Sequence, residues 1–167
     1  MKGKSKNSRK TWSSLMLGKY KYKTLPQVIF LDPDWFFWAY KDGAFENKGT
    51  LESESEEIYN KACSIRIPRQ DHENYVVDYY FNLERTRIVR FDIVPASQPT
   101  HDGSSPTLRL DKIDLSLVRK GKTYDKLGGR KLIKSLKQCY FKNSRYQMTR
   151  ERCEDFFNND DNFLLSD

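Results

Sequence analysis

Apolar and polar positions change period several times along this chain, and each change predicts an element. Residues 1–13 carry five cations and no long apolar run, and read as a flexible basic tail. Leu15-Met16-Leu17 is a short strand-like stretch that ends at Gly18. Lys19-Tyr20-Lys21-Tyr22-Lys23 then alternates with period two, so an extended strand there would show lysines on one face and tyrosines on the other. Asp32 is placed as a helix N-cap, with Pro33 at the first helical position and Asp34 suited to the helix dipole. The helix is expected from Pro33 to about Lys41, with a stop near Gly43. A second helix is expected from about Leu51 to Cys63, capped by Ser53 or Ser55, with Ile58, Tyr59 and Ala62 as a narrow apolar stripe.

Residues 66–74 are polar and read as a linker. Tyr75, Val77, Tyr79, Phe81 and Leu83 alternate with mostly polar neighbours, the pattern of a half-buried strand. Val89, Phe91 and Ile93 predict the return strand. Pro95–Pro106 holds three prolines and a glycine and reads as a loop. Leu108 and Leu110 begin a third strand, after which the apolar parity flips to Ile113, Leu115 and Leu117. A bulge near Asp111-Lys112 would produce that flip. A basic amphipathic helix follows, about Gly129 to Phe141, with Leu132, Ile133, Leu136, Cys139 and Tyr140 as its apolar face. Thr149 caps a last helix to about Phe157, and residues 158–167 form an acidic tail that frays. The fold class is α+β: a hairpin-plus-helices module over 14–65, then a small antiparallel sheet with C-terminal helices over 72–157.

Composition narrows the classes. The 167 residues include 23 aromatics (3 Trp, 10 Tyr, 10 Phe), which argues for a packed core although only 37% of positions are apolar. No run of 18 apolar residues exists, so no membrane is expected as a partner. No secretory leader is visible, and the three cysteines are odd in number and widely spaced, which points to reduced thiols in the cytoplasm. His72 and His101 lie far apart and no CxxC occurs, so no metal or other cofactor is expected.

Charge is segregated. Residues 1–23 hold eight bases and no acid, and 119–152 hold twelve bases and two acids. Residues 32–57 hold eight acids and two bases, and 154–167 hold five acids and no base. Two basic blocks in such a chain point to phosphate, above all to nucleic acid.

Gly18-Lys19-Tyr20-Lys21, Lys23-Thr24 and the later Asp32-Pro33, Trp35 and Trp38 resemble the C-terminal module of exodeoxyribonuclease X and its relatives. Tyr22 departs from that pattern, where the family has Gly. The resemblance covers residues 14–65 and implies a tight hairpin, a short helix and an accessory role in contacting DNA. The catalytic domain that accompanies the module in that family has no counterpart in this sequence.

The candidate binding residues follow. Lys19, Lys21 and Lys23 would meet successive phosphates, since same-face neighbours on a strand lie about 6.6 Å apart. Tyr20, Tyr22, Trp35 and Trp38 would stack bases, although Phe36 and Phe37 read as core. Arg130, Lys134 and Lys137 form a basic stripe at i, i+4, i+7. Gly128-Gly129 could offer backbone N–H groups to a phosphate, but a glycine turn into a helix is the plainer reading. The expectation is a non-catalytic nucleic-acid-binding protein with no catalytic residues, favouring single-stranded DNA or RNA, that serves a larger protein complex as accessory or subunit. The alternative is a protein-interaction regulator or inhibitor of a nucleic-acid enzyme, with acidic segments 52–57 and 154–167 mimicking phosphate. A weaker alternative is a metal-dependent nuclease using Asp78, Asp92 and a lysine. Asp71-His72-Glu73 and His101-Asp102 are loop charges with little support as acid/base pairs.

Overall fold

The computed structural model describes residues 9–120 and 124–166, and it has the expected α+β architecture. Five α-helices run over Leu25–Leu31 (α1), Pro33–Lys41 (α2), Thr50–Ala62 (α3), Lys126–Phe141 (α4) and Arg150–Asn158 (α5). Three strands, Tyr75–Phe81 (β1), Ile88–Pro95 (β2) and Thr107–Leu110 (β3), form an antiparallel sheet in the order β2-β1-β3. No helix among the described residues is long and apolar enough to cross a membrane.

Local signals account for most helix boundaries. Asp32 caps α2 through Trp35 N at 3.2 Å, and Gly43 takes φ +79 just past its end. Thr149 caps α5 through Arg152 N at 3.2 Å. Helix α1 carries a signal of its own, Thr24-Leu25-Pro26-Gln27, in which the Gln27 side chain accepts a hydrogen bond from Thr24 N at 3.0 Å. Helix α3 begins earlier than Ser53 or Ser55, because Gly49 supplies its N-cap at φ +59. Both serine hydroxyls instead bond back to carbonyls of the preceding turn, Thr50 and Glu52.

One continuous apolar core joins residues from Trp12 to Phe163. The inward row of the sheet, Val77, Tyr79, Phe81 and Phe91, is covered from β2 by α4. A second aromatic cluster sits between α1 and α5, where Phe30 meets Phe156 edge to face at 5.4 Å and Phe157 stacks on Phe163 at 5.5 Å.

Four sequence expectations give way to this core. Residues 9–13 are held rather than free: Trp12 is buried and its indole N–H donates to Asn158, while Ser13 N donates to Glu54. The segment 66–74 is more than a linker, because Ile65 pairs with both Ile113 and Phe163 and Ile67 is buried beside it. The acidic end is anchored by the same contact, with Leu164 N donating to Ser64 O and a 3-10 turn over Asp160–Asn162. The parity flip after Leu110 is no bulge within a strand. The chain leaves the sheet there, Tyr79 Oη donates to Lys112 O, and Leu115–Lys120 winds into a 3-10 helix. Residues 1–8 of the basic tail lie outside the described residues.

The anchored end gives a direct check. Phe163→Ala deletes a buried ring from the α1–α5 cluster and should cost about 3 kcal/mol, the usual range for Phe→Ala in a core. Denaturant unfolding measures this, and a change below about 0.5 kcal/mol would mean that the C-terminal segment frays.

Candidate nucleic-acid interface

Two fully buried carboxylates, Asp32 and Asp34, stand at the start of α2. A buried carboxylate is tolerable only where donors surround it. Asp32 accepts from Tyr20 Oη at 2.5 Å, from the Tyr124 hydroxyl, from Trp35 N, and from Lys19 Nζ at 3.5 Å. Burial first, and then the hydrogen bond to Asp32, push the Tyr20 and Tyr124 phenols well above the ordinary tyrosine value. Asp34 accepts from Arg119 Nη1 at 2.8 Å and from the backbone N–H of Asp125. Asp125 in turn caps α4 by accepting from Gly128 N at 2.8 Å. The Asp32–Asp34 pair thus joins the Lys19–Lys23 segment to the first turn of α4.

This network explains why the period-two reading of Lys19–Lys23 fails. The segment is a pair of tight turns within a hairpin closed by the Ser14–Thr24 bridge. Lys21 N donates to Gly18 O and Lys23 N to Tyr20 O, while Tyr22 N crosses to Leu15 O. Gly18 at φ +83 and Tyr22 at φ +71 let the chain reverse. Tyr20 is thereby turned inward, edge-on to Trp35 at 5.1 Å. Tyr22 stays exposed, with Lys21 Nζ 4.9 Å above its ring. The left-handed backbone at Tyr22 falls where the resembled module has Gly.

The three lysines therefore differ in role. Lys19 bridges Asp32 and Tyr124 and is about half exposed, whereas Lys21 and Lys23 are exposed. Trp35 is half-buried and Trp38 is 44% exposed, and Phe36 and Phe37 are core as expected. Tyr20 and Trp35, each already engaged, are poor stacking platforms. Tyr22 and Trp38 remain open.

Helix α4 starts at Lys126 rather than Gly129, because Asp125 caps it, so Gly128 and Gly129 sit inside its first turn and are structural. Gly128 is buried and its N–H is used by Asp125, and a Cβ on Gly129 would sit 3.2 Å from Pro33. They let α4 close on the start of α2 and leave no N–H for a phosphate. Helix α4 carries Lys126, Arg130, Lys131, Lys134 and Lys137 and no acid. Arg130 and Lys134 are exposed, while burial beside α5, with Lys134 adding its like charge, pulls the Lys137 ammonium below the usual lysine value. The Cys153 thiol, pushed up to about 12 by burial, is within electrostatic reach of both Lys137 and Lys23. The turn and the basic helix are tied through Tyr124, two residues before α4, whose hydroxyl accepts from Lys19 Nζ at 3.1 Å and donates to Asp32. Tyr124 and Arg119, which hold this arrangement, carry no motif, and pairing across some 90 residues gives no local signal.

Several acids of the two acidic segments are paired with cations of this chain. Glu57 pairs with Lys10 and Lys61, Glu154 with Arg150, Asp155 with Arg9, and Asp160 with Lys61. Asp78 and Asp92 face each other across β1 and β2, but Arg109 holds Asp78 with two hydrogen bonds and Arg90 holds Asp92. No group of three or more His, Cys, Asp or Glu among the described residues could hold a metal ion. Beside the turn lies an apolar groove of about 590 Å³, lined by Leu15, Met16, Leu17, Trp35, Phe45 and Leu51. No protein-family model, curated protein or solved structure matches the chain.

Two outcomes check this geometry. Lys19→Ala removes the cation beside buried Asp32 and should cost about 1–2 kcal/mol, while Lys21→Ala/Lys23→Ala should stay within about 0.5 kcal/mol of the parent. Equal thermal stability of the two variants would dissolve the distinction. At Tyr22, a left-handed backbone disfavours β-branched side chains, so Tyr22→Val should destabilise by at least 1 kcal/mol and Tyr22→Gly should be tolerated. Chemical denaturation reads both, and a harmless valine would contradict the turn.

Proposed function

We propose that the chain is a non-catalytic nucleic-acid-binding protein of the cytoplasm that takes single-stranded DNA or RNA and serves a larger complex as an accessory. The observation that carries this reading is that the first basic segment reaches the start of the basic helix, with Lys19 Nζ donating to Tyr124 Oη at 3.1 Å just before α4. Lys21 and Lys23 on the turn, with Arg130, Lys134 and Lys137 on a helix that brings no acid, are the cations offered to the strand. Exposed Tyr22 and Trp38 supply ring faces, each stacked base being worth roughly 1–3 kcal/mol. The resemblance of residues 14–65 to the exodeoxyribonuclease X module supports the same reading, and three free cysteines suit a reducing compartment.

A second reading rests on the apolar groove beside the turn. Met16 is 65% and Leu17 is 76% exposed at its rim, and such surface also suits a protein partner. In that case the chain would be a regulator or inhibitor of a nucleic-acid enzyme. Internal pairing of the acidic segments weakens the phosphate-mimic form of this reading.

Salt dependence separates the two. Five neutralised phosphates on a single strand give a log–log slope of about −3.5. Oligonucleotide binding followed by fluorescence anisotropy from low to moderate salt should show that slope. No binding at low salt, or a slope near zero, would overturn the proposed function and favour the apolar protein-docking reading.

A further inference from the structure

An open groove of about 650 Å³ lies between β2 and the C-terminal half of α4, on the side of the helix that faces the sheet edge. Arg69, Arg90, Lys134 and Lys142 line it, and Asp92 is its one acid. Four cations less one carboxylate leave a local charge of +3. Lys134 belongs to both this groove and the outward stripe of α4, so the groove continues the interface described above.

The two arginines are held in place by aromatic rings. Arg69 lies over Tyr75 at 4.3 Å, and Arg90 lies over Tyr80 at 4.1 Å while its Nε reaches Asp92 at 3.3 Å. Stacking fixes a guanidinium plane without using up its fork of donors. Ser135 Oγ accepts from Phe91 N at 3.3 Å, which pins that hydroxyl at the β2 edge and leaves its proton free to donate. Ser144, just past the end of α4, adds a second hydroxyl to the lining. Lys142, at the left-handed C-cap of α4, places a cation where the helix dipole is negative, so the helix end does not repel an anion. Fixed arginines, hydroxyl donors and a net positive charge make a site for a tetrahedral phosphate. Its volume falls in the range of small-molecule sites and exceeds what a bare ion needs.

We propose that this groove is a second phosphate-binding site, which takes a phosphate of the nucleic-acid strand that crosses α4. The proposal rests on the reading of the chain as a nucleic-acid binder. The phosphate has two sources, an internal phosphodiester or a terminal monoester, and the chemistry of the groove accepts both.

The test uses the full chain and a variant, Arg69→Gln/Lys142→Gln, whose melting temperature is first shown to match the parent. Affinity is measured against salt for one oligonucleotide carrying either a 5′-hydroxyl or a 5′-phosphate. The variant should bind about tenfold more weakly, with a slope shallower by about 1.4 for two lost phosphate contacts. A loss on both strands identifies an internal phosphodiester, and a loss confined to the phosphorylated strand identifies the terminal monoester. If the variant keeps the parent's affinity and slope while Lys21→Ala/Lys23→Ala weakens binding, the groove proposal is overturned and the nucleic-acid reading stands. If the parent binds no oligonucleotide, that reading falls, and titration with inorganic phosphate decides the groove alone. Saturable amide shifts at Ser135 and Ser144, absent in the variant, sustain it, and no shifts end it.

Discussion

The arrangement depends on a carboxylate that has no access to water. Asp32 is completely buried, and an uncompensated charge in that position would cost several kcal/mol. It is stable because four donors from three separate parts of the chain converge on it: Lys19 and Tyr20 from the hairpin, Trp35 from α2, and Tyr124 from the segment before α4. Each donor that moves away leaves the buried charge less compensated. The hairpin is thus tied to α2 and to α4 through two oxygen atoms. Asp34 repeats the device one residue beyond Pro33, with Arg119 as its cation and the Asp125 backbone as its second donor.

The consequence for function is spatial. Lysines that pair with buried acids are structural, and lysines next to them are free to meet a ligand. Lys19 belongs to the first kind, and Lys21 and Lys23 to the second. The buried acids hold the turn beside the start of α4, so the two basic segments are tied to one point of the fold. The acids Glu57, Glu154, Asp155 and Asp160 are meanwhile paired with Arg9, Lys10, Lys61 and Arg150.

Much of the fold was legible because its signals are local. Asp32-Pro33 marks the start of α2 and Thr149 that of α5, and alternation over 75–81 marks β1 with its partner strands. Helix α1 was equally marked by Thr24-x-x-Gln27 with Pro26, but its apolar run, Val28 to Leu31, lacks a polar face to give it a period. The misreadings share one cause. Period two at Lys19–Lys23 looks like a strand, yet the tyrosines alternate because Tyr20 must reach Asp32 while Tyr22 turns away. Ile113 changes parity because it pairs with Ile65, and polar residues around Ile67 hide a buried side chain. In each case a partner distant in sequence decides the conformation. The candidate site was legible as two basic segments, and the link between them was not, since Tyr124 carries no pattern that announces it.

Asp32→Asn tests most directly whether the buried acid shapes the binding surface. The substitution keeps an acceptor for Trp35 N but removes the charge that Lys19 needs and turns an amide toward the two tyrosine hydroxyls. It also raises the net charge by one, so electrostatics alone would tighten oligonucleotide binding. If Asp32 positions the turn against α4, affinity measured on the folded variant should instead fall about tenfold. Unchanged or tighter binding by a variant that remains folded would contradict this account.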